Sequence, residues 1–337
     1  MIRVAVVGVN NIGNIHCRFF AGHPDTRLTA VCDLMEERAN KAGREYGASA
    51  YTSLERLLDR EEIDLVVVAT AGEEKGSHHY APAMQAIAAG KDVLVEKPIS
   101  NRIAEAREMV RFAREKNVRL ACNLNHRFTP AAFRAKRLID EGRLGTILFA
   151  NMRLTIRNRS DETEWFHLRA LHPHSFDVLR YFAGDVRRVQ TFVTKAPGRT
   201  TWSTASINLE FACGAVGHLT GSYDMSMKHP IEFCEVAGDQ GRFVIDNVYE
   251  SLTFYPHDSD ELLVVRNPIF GGMQGFNDTF RLRLERFVAQ IKAGDPPERI
   301  DGSGADALAA QEIIEAAIAS HLNGGAAVRV PAGDERS

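Results

Sequence analysis

The first third of the chain alternates short apolar runs with helix-forming segments. Residues 2–7 and 63–70 are continuous runs of β-branched and other apolar residues, which is typical of strands buried on both faces. Segments rich in Ala, Glu and Arg separate such runs, and Gly47 and Gly90 end two of them. This alternation predicts a doubly wound parallel sheet. The predicted strands are 2–7, 28–32, 63–70, 92–95 and 118–123, and the predicted helices are 12–22, 36–46, 53–59, 80–89 and 103–116.

A different pattern begins near Asn125, where strands alternate apolar and polar residues. Period-two alternation predicts a large, open-faced, mainly antiparallel sheet with two unlike faces. We expect helices on one face and self-association, as a homodimer or homotetramer, through the other. One face collects Leu148, Ala150, Met152, Leu154 and Ile156, and likewise Ala205, Ile207, Leu209 and Phe211. Further predicted strands are 186–195, 215–223, 231–237, 241–246, 252–255 and 261–266, and the closing helices are 278–292 and 304–322.

The length of 337 residues predicts two domains, an N-terminal domain of residues 1–123 and a C-terminal α+β domain of residues 124–337. A formal net charge of −3 gives no basic surface for nucleic acid and no polybasic patch for a membrane. No apolar run approaches the roughly 20 residues that span a bilayer. The first residues lack a basic leader and a cleavage site, so they predict a strand and not a signal peptide. Five scattered cysteines without CxxC spacing predict a reduced, cytoplasmic protein.

A glycine-bearing turn follows the first predicted strand and opens the first predicted helix. Dinucleotide-binding turns of this kind usually read GxGxxG. Gly8 and Gly13 occupy the outer glycine positions, and Asn10 replaces the middle glycine. Asparagine tolerates left-handed backbone geometry better than most residues, and its side chain can donate to a phosphate. The turn, completed by Asn11 and Ile12, predicts a pyrophosphate site, with an ordinary strand–helix connection as the alternative.

Asp33 strengthens the cofactor hypothesis because it ends the second predicted strand, 20 residues after Gly13. A carboxylate at this place bonds the adenosine ribose hydroxyls and repels a 2′-phosphate, which favours NAD over NADP. Arg38 lies near enough to reduce the preference for NAD, so NADP is the alternative cofactor. The alternative role for Asp33 is a helix N-cap, since Glu36 follows three residues later. Thr70 ends another predicted strand at the carboxyl edge, where ligands collect.

Several later motifs, in this order, resemble the glucose-fructose oxidoreductase / inositol dehydrogenase / rhizopine catabolism (Gfo/Idh/MocA) family. The resemblance covers nearly the whole chain. It implies a Rossmann domain, an open-faced sheet domain, and NAD(P)-dependent oxidation or reduction of a sugar or polyol. The motifs are Glu96-Lys97-Pro98, Asn125-His126-Arg127-Phe128-Thr129-Pro130, Glu141-Gly142-Arg143-Leu144-Gly145, His174-Ser175-Phe176-Asp177 and the segment 302–330.

The resemblance implies roles for single residues. Lys97 becomes the lysine that lies between nicotinamide and substrate, and the alternative for it is a solvated surface lysine. Glu96 and His79 match positions on the cofactor side. His174 matches a general base, for which an ordinary histidine pKa of about 6.5 is suitable. Asp177 follows three residues later, on the same face of a helix, and matches an aspartate that holds substrate hydroxyls; a structural His–Asp pair is the alternative.

The chain departs from the family pattern just before His174. The family often carries an aspartate four residues before this histidine, and here that position is Ala170. His172 or His167 can substitute in part, or Lys97 can carry the proton chemistry alone. This departure speaks against inositol as the substrate.

The remaining polar residues near these motifs predict a substrate pocket. The predicted pocket residues are Asn125, Arg127, Arg157, Trp165 and His172. Arg157 can attract a carboxylate-bearing sugar, or it can belong to a solvated basic loop. The group of His167, His172 and His174 lacks the chelate spacing of a zinc site, so no metal is predicted. The loop 72–76 is predicted to lie beside the cofactor and is assigned no chemistry.

The leading hypothesis is an NAD(P)-dependent dehydrogenase that acts on a secondary alcohol of a sugar, sugar derivative or cyclitol. An NADPH-preferring ketosugar reductase is a close alternative. A second class is glycoside cleavage assisted by transient oxidation with tightly held NAD. A third is a non-catalytic sugar- or NAD-sensing protein, since one fold serves many functions.

Overall fold

The computed structural model describes residues 1–71, 77–267 and 275–331; the loop predicted at 72–76 lies outside the described residues. The chain divides into two compact units. The first unit consists of Met1–Asn123 and Arg283–Leu308, and the second consists of Leu124–Leu282 and the chain from Ala309 onward.

The first unit is built on a six-stranded sheet whose strands all run parallel. The predicted doubly wound sheet is thereby confirmed. Its strands are β1 (Ile2–Val7), β2 (Thr26–Cys32), β3 (Ser49–Tyr51), β4 (Leu65–Val68), β5 (Asp92–Val95) and β6 (Leu120–Cys122), and its helices are α1 (Asn11–Gly22), α2 (Glu36–Tyr46), α3 (Leu54–Arg60), α4 (Tyr80–Ala88) and α5 (Ile103–Glu115). In the strand order β3-β2-β1-β4-β5-β6, the chain proceeds outward from β1 in one direction and then from β4 in the other. Ligands bind in open parallel sheets at the place between two such neighbouring strands.

The segment Arg283–Leu308 packs with the first unit, although the sequence analysis placed it in the second domain. It begins inside helix α8 (Asn277–Ala293) and ends inside helix α9 (Gly304–Leu322). Leu284, Phe287 and Val288 belong to the same buried cluster as the valines of β1 and β4. The apolar face of α8 is therefore buried with the parallel sheet, which removes that face from water.

The second unit is built on a nine-stranded sheet in the order β14-β13-β12-β11-β7-β10-β9-β8-β15. β7 and β10 pair in parallel and the other neighbours pair antiparallel, which confirms the predicted mainly antiparallel sheet. The strands are β7 (Ile147–Thr155), β8 (Val186–Thr194), β9 (Thr204–Phe211), β10 (Val216–Ser222), β11 (Glu232–Gly238), β12 (Gly241–Asp246), β13 (Ser251–Pro256), β14 (Leu263–Arg266) and β15 (Val328–Arg329). Helices α6 (Pro130–Asp140) and α7 (Phe166–Ala183) belong to this unit, together with the first residues of α8 and the part of α9 from Ala309 onward.

One face of the nine-stranded sheet is buried. Ala150, Met152 and Leu154 of β7 share a core cluster with the predicted inward residues of β9 and with apolar residues of α7. Leu148, which follows the same alternation, is exposed near the start of β7. On the other face, Glu235, Asn151, His218 and Asn208 are cross-strand neighbours. Self-association through this polar face stays a prediction.

Helix α7 presents its faces according to the helical period. His172 precedes His174 by two residues, which corresponds to a rotation of about 200° around the axis. Asp177 follows His174 by three residues and lies on nearly the same side. Within the described ranges, no helix is both long and apolar enough to cross a membrane.

Candidate active site

The glycine turn brings the end of β1 and the start of α1 into close contact. A Cβ atom on Gly13 would lie 1.7 Å from the carbonyl oxygen of Gly8, and a Cβ on Gly8 would lie 2.7 Å from the carbonyl oxygen of Ala69. Gly8 also has a φ of 82°, which L side chains rarely adopt. Both positions therefore require glycine, and the turn leaves the first backbone N–H groups of α1 open to an anion.

Asn10 caps the start of α1 with extended backbone, at φ −80° and ψ 173°. The left-handed geometry that asparagine tolerates is therefore not used at this position. The Asn10 side chain makes no capping hydrogen bond, and Asn10, Asn11 and Ile12 are exposed. These side chains are consequently available to a ligand at the turn.

Asp33 connects the glycine turn to the end of β2. Its Oδ2 atom accepts a hydrogen bond from the Val9 backbone N–H at 3.0 Å, and its Oδ1 atom accepts one from Met35 at 3.0 Å. Met35, and not Asp33, is the N-cap of α2, so the N-cap alternative does not hold. A carboxylate held in this way keeps further lone pairs for ribose hydroxyls. Arg38 is exposed in the first turns of α2.

These features fit a dinucleotide. The turn has no Cβ at the two places where backbone approaches backbone, a helix begins there, and a carboxylate stands at the end of the neighbouring strand. Gly8, Asn10 and Gly13 would hold the pyrophosphate, and Asp33 would hold the adenosine ribose. NAD so bound would accept a hydride at its nicotinamide ring.

Glu96 is a buried anion beside Lys97 at the end of β5. Its Oε1 atom lies 2.7 Å from His16 Nε2 and accepts a hydrogen bond from Asn123 Nδ2 at 2.7 Å. Its Oε2 atom accepts the Lys97 backbone N–H at 3.3 Å. Burial raises the pKa of Glu96, but the hydrogen bond and charge of His16, the charge of Lys97 and the hydrogen bond from Asn123 together hold it below its ordinary value. Glu96 thus supports the backbone of Lys97 and points into the protein.

Lys97 itself is partly exposed, and the Lys97–Pro98 peptide bond is cis. The carboxyl end of a parallel strand is the edge at which ligands bind in such sheets. The partner of Glu96 in this unit, His16 of α1, was missed by the sequence analysis. It lies three residues after Gly13, and only the fold brings it to the end of β5.

His79 joins the turn after β4 to the turn after β5. Its Nδ1 lies 2.8 Å from the Pro98 carbonyl oxygen, and its Nε2 lies 3.0 Å from the Thr70 carbonyl oxygen. Burial lowers the pKa of His79, against the opposing effects of the Pro98 hydrogen bond, the Glu96 charge and the Thr70 hydrogen bond. Because both ring nitrogens contact backbone carbonyl oxygens, His79 holds the two turns together. The hydroxyl of Thr70 donates to the His78 carbonyl at 2.9 Å.

In the second unit, Asp177 binds Arg127. The Nε atom of Arg127 donates to Asp177 Oδ2 at 2.6 Å, and its Nη2 atom donates to Oδ1. The guanidinium also lies over the Tyr181 ring, 5.1 Å from its centroid. Two residues predicted for substrate contact therefore fasten the turn Asn125–Phe128 to α7. Asn125 is likewise buried, and its Nδ2 donates to the Thr279 hydroxyl.

His174 of α7 stacks on His126. The two imidazole centroids are 4.2 Å apart, and the ring planes differ by 11°. His126 Nδ1 lies 2.6 Å from Glu232 Oε2, at the start of β11. His126 lies in one of the motifs that resemble the family, but neither His126 nor Glu232 was predicted to have a role.

Two predicted pocket residues lie in the core. Trp165 packs with Trp202 and His321, at centroid distances of 6.3 Å and 5.9 Å. His172 is fully buried and its Nε2 lies 3.0 Å from His167 Nε2. Burial lowers the pKa of His172 to about 3 and lowers that of His167 as well.

The helical period of α7 turns His172 away from His174, whereas Trp165 precedes the helix as its N-cap. A Cβ on Gly221 of β10 would lie only 1.9 Å from His172 Nε2, so the sheet backbone covers this ring. Arg157, by contrast, is exposed just after β7, where its backbone bridges Asp224. Within the described parts of the chain, no three His, Cys, Asp or Glu side chains gather as metal ligands.

Comparison with known proteins decides the family. Residues 2–124 match the model for the Gfo/Idh/MocA oxidoreductase family with an NAD-binding Rossmann fold. Residues 133–244 match the model for a Gfo/Idh/MocA C-terminal domain. The chain belongs to the Gfo/Idh/MocA family. It is therefore an NAD-dependent oxidoreductase, as its motifs predicted.

Several oxidoreductases are similar to the chain along most of its length. Myo-inositol 2-dehydrogenase of Thermotoga maritima is 24% identical over 315 residues, which span 88% of this chain and 90% of that protein. Inositol 2-dehydrogenase of Rhizobium meliloti is 25% identical over 334 residues, which span 95% and 96%. The structure of levoglucosan dehydrogenase in complex with NADH and L-sorbose superposes with a TM-score of 0.87 at 21% identity, covering 98% of this chain and 99% of that one.

Proposed function

We propose that the protein oxidises a secondary alcohol of a sugar, sugar derivative or cyclitol with NAD, and that Lys97 and His174 handle the hydroxyl proton. The observation that carries the proposal is the glycine turn with Asp33 bonded to it, because that arrangement fits a dinucleotide with free ribose hydroxyls. The names of the relatives, two inositol dehydrogenases and a levoglucosan dehydrogenase, favour a polyhydroxylated ring as the substrate.

The reaction needs one group that removes a proton. Oxidation of the alcohol removes the carbinol hydrogen with both bonding electrons as hydride, for which NAD, when bound at the glycine turn, would be the acceptor. The O–H proton must leave the same alcohol so that the C=O bond forms. Lys97, when neutral, or His174 takes this proton, and the proton then passes to water. A general base of this kind typically contributes about 10²- to 10⁴-fold to the rate.

The side chains of the second unit that we propose near the substrate are polar and are paired with one another. Asp177 and Arg127 neutralise each other and fix the turn Asn125–Phe128 against α7. His174, on the same side of α7 as Asp177, stacks on a second imidazole of that turn. This fixed ring is suited to accepting a proton from one hydroxyl of a polyol, since a base that is held in place needs no reorientation.

A panel assay tests the proposal. NADH formation is measured with myo-inositol, scyllo-inositol, levoglucosan, aldoses, ketoses and sugar acids, each with NAD and with NADP. We expect NADH formation with at least one cyclitol or sugar and a preference for NAD. Cleavage of a glycoside without net NADH, or no turnover with any member of the panel, would contradict the proposal.

Substitution of Lys97 tests its role with the substrate that the panel identifies. Lys97→Ala is expected to lower kcat by on the order of 10²-fold or more. Lys116→Ala is the matched control, because Lys116 is exposed at the end of α5. Turnover near wild type in Lys97→Ala would remove Lys97 from the mechanism.

A further inference from the structure

We propose that His126 and Glu232 are positioning residues for His174, and that the Glu232 carboxylate stabilises the positive charge that His174 acquires when it takes a proton. The inference rests on the proposed role of His174 as a base. It concerns two residues that the sequence motifs did not assign to the reaction, one in the turn Asn125–Phe128 and one in β11.

The geometry of the three side chains supports this assignment. His126, Glu232 and His174 are all buried, with 4%, 4% and 5% of their surfaces exposed. The His126 and His174 rings are nearly parallel at 4.2 Å, and Phe276 meets the His126 ring edge-on at 5.9 Å. His126 Nδ1 donates to Glu232 Oε2 at 2.6 Å. The carboxylate therefore fixes the orientation and the tautomer of His126, and the stacked His126 ring fixes the plane of His174.

The charges around this cluster identify Glu232 as its anion. Asp177 is the carboxylate of α7 that lies nearest to His174 in the sequence, but the Arg127 guanidinium binds both of its oxygens. His172, also on α7, is turned to the other side and pairs with His167. Position 170, one turn before His174, is alanine and has no carboxylate. Glu232 of β11, by contrast, is a buried carboxylate whose Oε2 atom pairs with the stacked His126 ring itself.

The arrangement has a consequence for proton transfer. A proton on His174 makes the stacked pair cationic, and a buried carboxylate hydrogen-bonded to that pair favours the cation. Electrostatic stabilisation of this kind acts without reorganisation, because the groups are already in place. Loss of the Glu232 charge should therefore weaken His174 as a base while leaving substrate binding intact.

Glu232→Gln is the main test, because glutamine keeps the shape and the acceptor but removes the charge. We expect kcat to fall on the order of tenfold with KM little changed, a part of the effect of losing the base itself. We also expect the acidic limb of the kcat/KM profile to move to lower pH by about one unit. Glu235→Gln is the matched control, since Glu235 lies on the same strand and accepts a hydrogen bond from Arg242 at 3.1 Å. Glu232→Asp should recover part of the lost rate.

A titration by NMR gives a readout that does not depend on turnover. The C2 proton of His174, assigned by its absence in His174→Gln, is followed from pH 5 to 9 in the wild type and in Glu232→Gln. The midpoint should fall by about one unit in Glu232→Gln. If Glu232→Gln does not fold, His126→Phe takes its place in both measurements. This variant keeps a stacked ring but leaves the buried Glu232 carboxylate without its donor, so the carboxylate takes up a proton, loses its charge, and the midpoint and kcat are expected to fall as in Glu232→Gln.

The outcomes separate the two proposals. This inference is overturned if Glu232→Gln keeps the wild-type kcat, the wild-type acidic limb and the wild-type titration midpoint. In that case an inactive His174→Gln variant still supports the proposed function. Full activity in His174→Gln would overturn the role of His174 as a base, and with it the positioning role. A lowered midpoint, together with a lowered kcat and unchanged KM, supports the inference.

Discussion

Asp177 presents both carboxylate oxygens to Arg127 in the interior of the second unit. The two side chains are almost fully buried, and the Arg127 guanidinium also lies over the Tyr181 ring. A bidentate pair of this kind fixes the distance and the angle between the two elements that carry it. The turn Asn125–Phe128 and helix α7 are therefore joined directly beside His174.

Loss of one partner of this pair should destabilise the fold. Asp177→Asn leaves the Arg127 charge buried without its counter-ion, and we expect the free energy of unfolding to fall by about 3–5 kcal/mol. Urea unfolding followed by circular dichroism measures it. Glu115→Gln, which breaks the exposed pair with Arg111 in α5, is the control and should change the free energy by less than about 1 kcal/mol. Equal effects of the two substitutions would contradict the prediction.

The glycine turn predicts different effects for two glycines of α1. Gly13→Ala places a methyl group against the Gly8 carbonyl and must push β1 and α1 apart. We expect NADH binding to weaken by roughly 10- to 100-fold, as overpacking of about 1–3 kcal/mol implies. Gly22, the last residue of α1, has open space around the position of a Cβ, so Gly22→Ala is the control and should leave NADH binding unchanged. Calorimetric titration with NADH would contradict the account if both variants bound alike.

Asp33 should set the choice between NAD and NADP. Asp33→Asn removes the charge that repels a 2′-phosphate but keeps an acceptor for the Val9 N–H. The ratio of NADPH to NADH affinity should rise on the order of tenfold, which corresponds to about 1.4 kcal/mol. Glu37→Gln, an exposed carboxylate in the first turn of α2, serves as the control. An unchanged ratio in Asp33→Asn would show that this carboxylate does not face the ribose.

The buried histidines of the second unit predict a dependence of stability on pH. Burial lowers the pKa of His172 to about 3, whereas the unfolded chain takes up this proton below pH of about 6.5. Between these values the unfolded state binds more protons, so the free energy of unfolding falls as pH falls, by at most about 1.4 kcal/mol per pH unit for such a histidine. Above pH of about 6.5 the contribution is constant.

Unfolding by urea between pH 7 and pH 5 measures this slope. His172→Gln should reduce it, because glutamine does not titrate. His257→Gln alters an exposed histidine near β13 and provides the control. A slope that His172→Gln leaves as steep as in the wild type would contradict the assignment.

The first unit was predictable because its signals are local. Strands buried on both faces appear as unbroken apolar runs, and Gly8, Gly13 and Asp33 mark a turn whose spacing follows from the βαβ geometry. Short elements escaped detection: β3 has three residues, which are too few for a period.

Helix α6 of the second unit was also missed, although Thr129 caps it by accepting the Ala132 N–H at 3.2 Å and Pro130 occupies its first turn.

The second unit shows what local signals cannot supply. His126 and Glu232 are 106 residues apart, and only the packing of the turn Asn125–Phe128 against β11 joins them. His172 was predicted as a pocket residue, but the helical period turns it to the side of α7 that faces away from His174. This period could have indicated the orientation of His172 in advance.

The most direct test of the central claim follows the hydrogen of the reacting carbon. The cyclitol or sugar that the panel identifies is deuterated at its carbinol carbon, and the NADH formed by the wild-type protein is analysed by mass spectrometry and NMR. The account predicts that deuterium arrives at C4 of the nicotinamide ring and that the rate of transfer falls in Lys97→Ala and in His174→Gln. Unlabelled NADH, or transfer at the wild-type rate in both variants, would contradict it.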